Sequence, residues 1–138
     1  MNTRWFVWIT LALLLLVTAA HALAAAPCGN GAQTFARTEL FFGRARPGGV
    51  ITPAQFQAFV AAEVTPRFPD GLTLLAGTGQ FRDAGGTTRA EGANVLILLY
   101  PLHDEHADRK IDAIRHHYRR RFEQQSVLRA DSVSCVSF

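Results

Sequence analysis

The sequence lacks the charge that binding to nucleic acid requires. Of its 138 residues 18% are charged, the formal net charge is +3, and Lys110 is the only lysine. Binding to a phosphate backbone depends on a concentrated basic surface, so we expect no nucleic-acid partner. With 49% hydrophobic residues, the composition is typical of a globular protein rather than of a disordered one.

Several motifs of catalysis and cofactor binding are also missing. The glycines within residues 77–79 lack the spacing and the lysine of a phosphate-binding loop, and no serine lies in the G-x-S-x-G pattern of hydrolases. Histidines are present, but His106 and His117 are about 16 Å apart along a predicted helix. His103, Asp104 and His106 are explained as the start of that helix. We therefore predict no metal site and no cofactor.

The first feature that the sequence does have is a leader. Residues 1–26 consist of a start that carries Arg4, an apolar run and a tail rich in alanine, which is the pattern of a secretory signal peptide. We predict cleavage between residues 22 and 27 and export to the periplasm, the cell exterior or the outer face of the membrane. The alternative is membrane attachment through an uncleaved leader, because residues 5–26 approach the length of a membrane span.

Cys28 and Cys135 are the only cysteines. An even pair in an oxidising compartment predicts a disulfide, and it would close a loop of roughly a hundred residues. In the alternative, Cys28 carries a lipid that holds the protein at the membrane, since this cysteine closely follows the apolar run. Pro27 stands where a lipidation signal normally has a small residue, which favours the disulfide.

The rest of the chain predicts an N-terminal extension at residues 27–37 and one domain at residues 38–138. Thr52, Pro53 and Gln55 form a capping box that begins an amphipathic helix. The apolar periodicity places helices at 53–64 and around 104–125, and strands at 38–43, 72–81, 95–100 and 127–138.

This order of elements predicts an α+β fold of the ferredoxin-like βαββαβ type. Such a domain has a four-stranded antiparallel sheet of order 4-1-3-2 with two helices on one face. We also expect the first and third strands to lie parallel at the centre, so that they end together near Arg44 and His103. The residues proposed to bind a ligand at this common edge are Arg44, Arg46, Tyr100 and His103.

Long strings in the domain match a known pattern. They are F-F-G-R-x-x-P-G-G at 41–49 and V-T-P-R-F-P-D-G-L-T at 64–73, with shorter strings at 52–56, 77–81 and 121–129. In these strings the chain resembles the bacterial domain-of-unknown-function family 3574. Members of that family look like small exported or lipid-anchored proteins, and the resemblance implies no activity.

The predicted central strands are apolar on both faces, although the helices cover only one of them. A second copy on the helix-free face explains this pattern and predicts a homodimer. Since no catalytic constellation is visible, we expect a non-enzymatic envelope module that dimerises and binds a protein or a small ligand. The alternatives are an enzyme of the dimeric α+β barrel kind, acting on a small apolar substrate, and a lipid-anchored structural protein of the envelope.

Overall fold

The computed structural model describes residues 28–29, 31–82 and 85–138. The predicted leader at residues 1–26 lies outside these residues. In chain order the elements are β1 Gln33–Gly43, β2 Ala45–Arg46, β3 Gly49–Val50, α1 Pro53–Phe59 continued by a π-helical turn Val60–Val64, β4 Thr73–Arg82, β5 Thr88–Pro101, α2 Ala107–Phe122 and β6 Leu128–Val136. Among the described residues, no helix has the length and apolar character needed to cross a membrane.

The four long strands form one sheet in the order β4-β5-β1-β6, and every neighbouring pair is antiparallel. The predicted four-stranded antiparallel sheet with two helices is therefore confirmed. The strands β2 and β3 form a separate small hairpin. The proline and glycines at positions 47–49 predict a loop here, and strands of two residues are too short to show an alternating pattern.

The prediction that the two central strands run parallel was wrong. In the antiparallel register of β1 and β5, Phe35 lies opposite Pro101 and Gly43 lies opposite Ala93. The connection through α1 returns the chain in β4 to the direction of β1, and the β4–β5 hairpin then reverses it. The last residues of the two central strands consequently lie at opposite ends of the sheet.

Strict alternation of side chains along β1 separates the two faces of the sheet. Thr38, Leu40 and Phe42 are fully buried, whereas the residues between them are only half-buried. In β5, Leu96 and Leu98 are likewise fully buried. We call the face that carries Phe42 the helix face and the opposite one the open face.

An aromatic cluster joins both helices to the helix face. The Phe42 ring lies 4.5 Å from that of Tyr118 on α2 and 5.5 Å from that of Phe56 on α1, measured between centroids. Phe59 and Phe122 complete the cluster, each within about 6 Å of a neighbouring ring. These contacts place both helices on one side of the sheet.

The beginning of α1 follows the predicted capping box. The Thr52 hydroxyl oxygen accepts a hydrogen bond from the backbone N–H of Gln55, and the Gln55 side chain accepts one from the backbone N–H of Thr52. Pro53 occupies the first helical turn, where its missing N–H has no cost. This local prediction is confirmed.

Both cysteines are disulfide-bonded, and neither is free. Since Cys28 and Cys135 are the only two, they form one intramolecular bond, as predicted. The bond occupies the sulfur of Cys28 that the lipid alternative requires.

Candidate active site

The structure does not bring the four predicted ligand-binding residues together. Arg44 and Arg46 follow the end of β1, whereas Tyr100 lies near the end of β5, opposite Ala36. Seven residues of strand separate these two levels of the sheet, about 23 Å at the usual rise per residue. The shared site depended on parallel central strands, and the antiparallel register separates its two halves.

At the first end of the sheet, the two arginines differ in their contacts. The Nε of Arg44 donates to the carbonyl oxygen of Ile51 at 3.0 Å. Its side chain lies over Gly92, where a Cβ atom would be 3.4 Å from Cδ of Arg44. The buried Nε of Arg46 has no hydrogen-bond partner among the described residues. Arg44 is thus partly engaged in holding the β2–β3 hairpin to the sheet.

At the other end, Tyr100 belongs to a partly buried polar network, while His103 is exposed in the turn after β5. Thr38 donates from its hydroxyl to Asp131 at 2.6 Å, so the Tyr100 hydroxyl, 2.9 Å from the same oxygen, is the donor to Thr38. Arg129 contacts Asp131 as well. The network ties β1, β5 and β6 together and satisfies the fully buried Thr38.

A different group of side chains forms a cleft between α2 and the π-helical turn. Its volume is about 390 Å³, and it is open to solvent. The lining residues are Phe59, Glu63, His116, His117, Arg120 and Arg121. A fully buried aromatic ring thus lies beside a carboxylate, two imidazoles and two guanidinium groups.

The centre of the cleft is a pair formed by Glu63 and His117. Nδ1 of His117 lies 2.5 Å from Oε2 of Glu63. Arg67 holds the same carboxylate from the other side, with its NH1 group 2.9 Å from Oε2 and 2.6 Å from the Glu63 backbone oxygen. The side chain of His117 is 42% exposed and that of Glu63 25%, so the imidazole is accessible while the carboxylate is largely covered.

The charge of this pair follows from the pKa of Glu63. The hydrogen bond with His117 lowers this pKa from its ordinary value of 4.5 against the opposing effect of burial, and the charges of His117 and Arg67 lower it further. Glu63 is therefore ionised at neutral pH and can only accept hydrogen bonds. The hydrogen between the two groups consequently belongs to Nδ1, so Nε2 is the ring nitrogen at which a proton can be exchanged with a substrate.

Two features of the helices bring the pair together. In α2 the buried residues Ile114 and Tyr118 face the sheet, and His117 precedes Tyr118 by one position, at the margin of that buried stripe. On the other side, the backbone N–H of Thr65 donates to the carbonyl of Val60, five residues earlier. This wider turn keeps Val60 and Val64 buried and turns Glu63 toward α2. Such π-helical turns are rare and are frequent at functional sites.

The rim of the cleft is positively charged. Arg120 and Arg121 are both exposed in the last turn of α2, and His116 adds a third nitrogen-bearing side chain. The only carboxylate in the lining belongs to Glu63, which is already bound by Arg67 and His117. The free charge at the rim therefore favours an anionic group, for which a guanidinium provides paired donors.

Within the described part of the chain, no three histidine, cysteine or acidic side chains lie close enough to hold a metal ion. The polar lining of the cleft is instead suited to proton transfer. A carboxylate that orients an imidazole, beside groups that can hold an anion, is the arrangement of a general base with its substrate-binding partners.

The sequence reading missed this pair for identifiable reasons. Glu63 and His117 are 54 positions apart, and no short motif connects them. The two alanines before Glu63 give no sign that the helix widens there. The available signal was the spacing of Glu63 and Arg67, four residues apart, which predicts an ion pair on one helix face but says nothing of α2.

Acid is expected to destabilise the protein in part through Glu63. Because the pKa of this carboxyl is lowered by folding, its contribution is complete above the ordinary value of 4.5 and is lost as the pH falls through the lowered value. Urea unfolding at a series of pH values between about 7 and 3 should show this loss. It should be smaller in Glu63→Gln, and unchanged in a control, Glu105→Gln, that alters an exposed carboxylate. An identical acid response in all three proteins would contradict the expectation.

Comparison with known proteins gives a family and a fold. The family described as "Protein of unknown function (DUF3574)" matches residues 37–138, which confirms the resemblance seen in the sequence. No curated protein sequence matches the chain. Two solved structures are similar, a phage SAM lyase in complex with S-methyl-5'-thioadenosine and a phage SAM lyase in the apo state.

The two structures share the fold at low sequence identity. For the complex, the TM-score is 0.58 at 17% identity, covering 83% of this chain and 95% of the other. For the apo state, the values are 0.56 and 16%, covering 83% and 97%. Both of the similar structures are those of enzymes. The expectation of a non-enzymatic binding module was therefore wrong.

Proposed function

The chain belongs to DUF3574, a family of proteins of unknown function, and we propose that it is an enzyme in which His117 acts as a general base on a small substrate that carries an anionic group. The observation that carries this proposal is the contact of 2.5 Å between Nδ1 of His117 and the carboxylate of Glu63, within an open cleft. The imidazole is held in one orientation by a group that remains charged, while its other nitrogen is free to accept a proton.

Each group of the cleft has a distinct part in this reaction. Nε2 of His117 removes a proton from the carbon next to the one that carries the leaving group, the electron pair of that C–H bond forms a C=C double bond, and the bond to the leaving group breaks. With SAM, the leaving group is neutral S-methyl-5'-thioadenosine. The Glu63 carboxylate stabilises the imidazolium that results, and Arg67 keeps that carboxylate in place. Arg120 and Arg121 hold an anionic group of the substrate, since both line the cleft. Because these side chains are charged, we propose a substrate with an anionic group rather than an apolar one.

The fold supports a lyase as the reaction class. We propose that the fold is ferredoxin-like, with the four strands of the sheet counted without the β2–β3 hairpin. The phage enzymes that share the fold are SAM lyases, and a lyase that breaks a bond by elimination requires a base. SAM also carries a carboxylate, which the arginines of the cleft are suited to hold.

The disulfide supports export as the setting of this activity. Disulfides persist in oxidising compartments, and the pattern of residues 1–26 is that of a secretory leader. We therefore propose that the mature domain works outside the cytoplasm.

The direct test is incubation of the purified chain with SAM, followed by chromatography for S-methyl-5'-thioadenosine. We expect release of this product, and we expect His117→Ala to slow it about 10²- to 10⁴-fold, the usual contribution of a general base. Glu63→Gln should slow it too, since the imidazolium loses its counter-charge. His106→Ala is the matched control, because it removes an exposed histidine at the other end of α2.

A second measurement does not depend on the identity of the substrate. Inorganic phosphate should shift the imidazole NMR signals of His117 in a saturable manner, and the double variant Arg120→Ala, Arg121→Ala should abolish this shift. If SAM is not cleaved but phosphate binds in this way, the anion site is retained and the substrate is a different molecule that carries an anionic group. If neither response is observed, the proposed site is wrong.

A further inference from the structure

The open face of the sheet carries a broad apolar surface. Its large apolar side chains are Phe35, Phe41, Leu75, Val95, Ile97, Leu99 and Leu128. Three of them are substantially exposed: Leu75 at 52%, Leu99 at 38% and Leu128 at 62%. In a monomer, contiguous apolar surface of this kind is unusual and marks an interaction site.

These side chains form a pattern across the strands rather than a scatter. Leu75 is paired with Val95, Val95 with Phe41, and Phe41 with Leu128. One apolar row therefore crosses all four strands at a single level of the sheet. Next to it along the central strands, Ile97 and Leu99 extend the surface.

The charges at the middle of the open face are balanced. Arg37 and Glu39 lie two residues apart on β1, and their side chains form an ion pair of 2.6 Å. They are 32% and 29% exposed, so both remain available to a partner. Since Thr38 points to the helix face between them, the centre of the open face presents one positive and one negative charge side by side.

From these observations we propose that the open face binds a second copy of the same chain. We place a two-fold axis midway between the two facing sheets, perpendicular to the strands and level with Thr38 of β1. Such an axis sets Arg37 opposite the partner's Glu39. The same axis sets Ile97 opposite the partner's Leu99, because Thr38 is paired with Leu98 and these residues flank it. The axis also sets Phe41 opposite the partner's Phe35, since both are three residues from Thr38 on β1. Apolar side chains of the central strands thus meet apolar ones, and each charge meets its opposite.

The overlap of two copies fits a weak dimer. Around an axis at Thr38, the strands β5, β1 and β6 of both copies overlap over the levels from Phe35 to Phe41, an area about 23 Å long and about 14 Å wide. The footprint is about 330 Å² on each copy, or about 660 Å² in total, at the small end of interfaces between proteins. A membrane is a poorer occupant, because anionic lipids attract basic residues and Arg37, at the centre of this face, is already paired with Glu39.

The decisive experiment exchanges the two charges between copies. Analytical ultracentrifugation should show a dimer for the native chain. Arg37→Glu collects four carboxylates at the axis and Glu39→Arg collects four guanidinium groups, so each variant alone should dissociate with a dimer Kd raised roughly 100-fold. Mixed in equal amounts, the two variants should form a heterodimer. If the ion pair only stabilised each chain by itself, mixing the two variants would not restore the dimer.

A second pair of variants tests the apolar part of the surface. Leu99→Glu places a charge in the centre of the open face and should dissociate the dimer. Val133→Glu is the matched control: Val133 is 59% exposed but lies on the other face of the sheet, opposite Ala36, and the dimer should persist. Circular dichroism establishes that each variant is folded.

Three results would overturn the proposal. They are a native chain that is monomeric at all concentrations tested, a dimer that both charge variants retain, and charge variants that do not associate on mixing. A monomer that binds to vesicles of phosphatidylglycerol would assign the open face to a membrane instead. None of these results depends on the activity of His117, so the two proposals can fail separately.

Discussion

Replacing Phe42 by alanine is expected to lower the free energy of unfolding by about 3–5 kcal/mol. The side chain is fully buried, and its ring contacts those of Tyr118, Phe56 and Phe59, so no neighbour can fill the space without moving a helix. A domain of this size is stable by only about 5–15 kcal/mol. The variant is therefore expected to lose a large part of its stability, which urea unfolding followed by circular dichroism would measure.

Phe41 provides the matched control, since it is the same residue type one position earlier on the opposite face. It is only half-buried, and its replacement by alanine should cost less than half as much, measured at the lowest protein concentration that the signal allows. An equal loss in the two variants would contradict the assignment of Phe42 to the helix face and of Phe41 to the open one.

Removal of the disulfide is expected to cost about 4–5 kcal/mol in the chain-entropy account. The bond between Cys28 and Cys135 closes almost the whole domain into one loop, and cross-linking so long a loop restricts the unfolded chain strongly. The double variant Cys28→Ala, Cys135→Ala should unfold at a much lower urea concentration than the oxidised native chain. Treatment of the native chain with a reducing agent should produce the same shift.

The double variant is also the control for this experiment, because a reducing agent should leave its unfolding unchanged. Unfolding midpoints that coincide for the oxidised and the reduced native chain would contradict a stabilising disulfide. Mass spectrometry of the peptide that contains Cys28 provides a further test. An added acyl chain would contradict the disulfide itself and restore the lipid alternative.

Local signals in this sequence predicted local structure well. The capping box at Thr52 and Gln55 and the apolar stripe of α2 each depend on residues within one or two turns, and the structure contains both. The even pair of cysteines predicted the disulfide for a reason of chemistry rather than of spacing. Strand ends were less well predicted, since β5 begins at Thr88 within a polar stretch that resembles a loop.

The relations between distant elements were harder to predict. Strand direction depends on how each connection returns the chain. The predicted parallel direction of the central strands was wrong, and Arg44 and His103 therefore lie at opposite ends of the sheet and cannot form the predicted site. The pair of Glu63 and His117 depends on the packing of two helices and on a local widening of one of them. Neither property leaves a mark in hydrophobic periodicity, so the candidate active site could be found only in three dimensions.

The widened turn before Glu63 has a consequence for how this site can be gained or lost. A π-helical turn holds one residue more than an α-helical turn at the same place, so a deletion of Ala61 or Ala62 would restore regular winding. Thr65 would then follow Val60 by four positions, which is the α-helical spacing for the hydrogen bond that it already makes. The loss of a single codon would thus shift Glu63 relative to His117, while the chain from Thr65 onward keeps its place against the core.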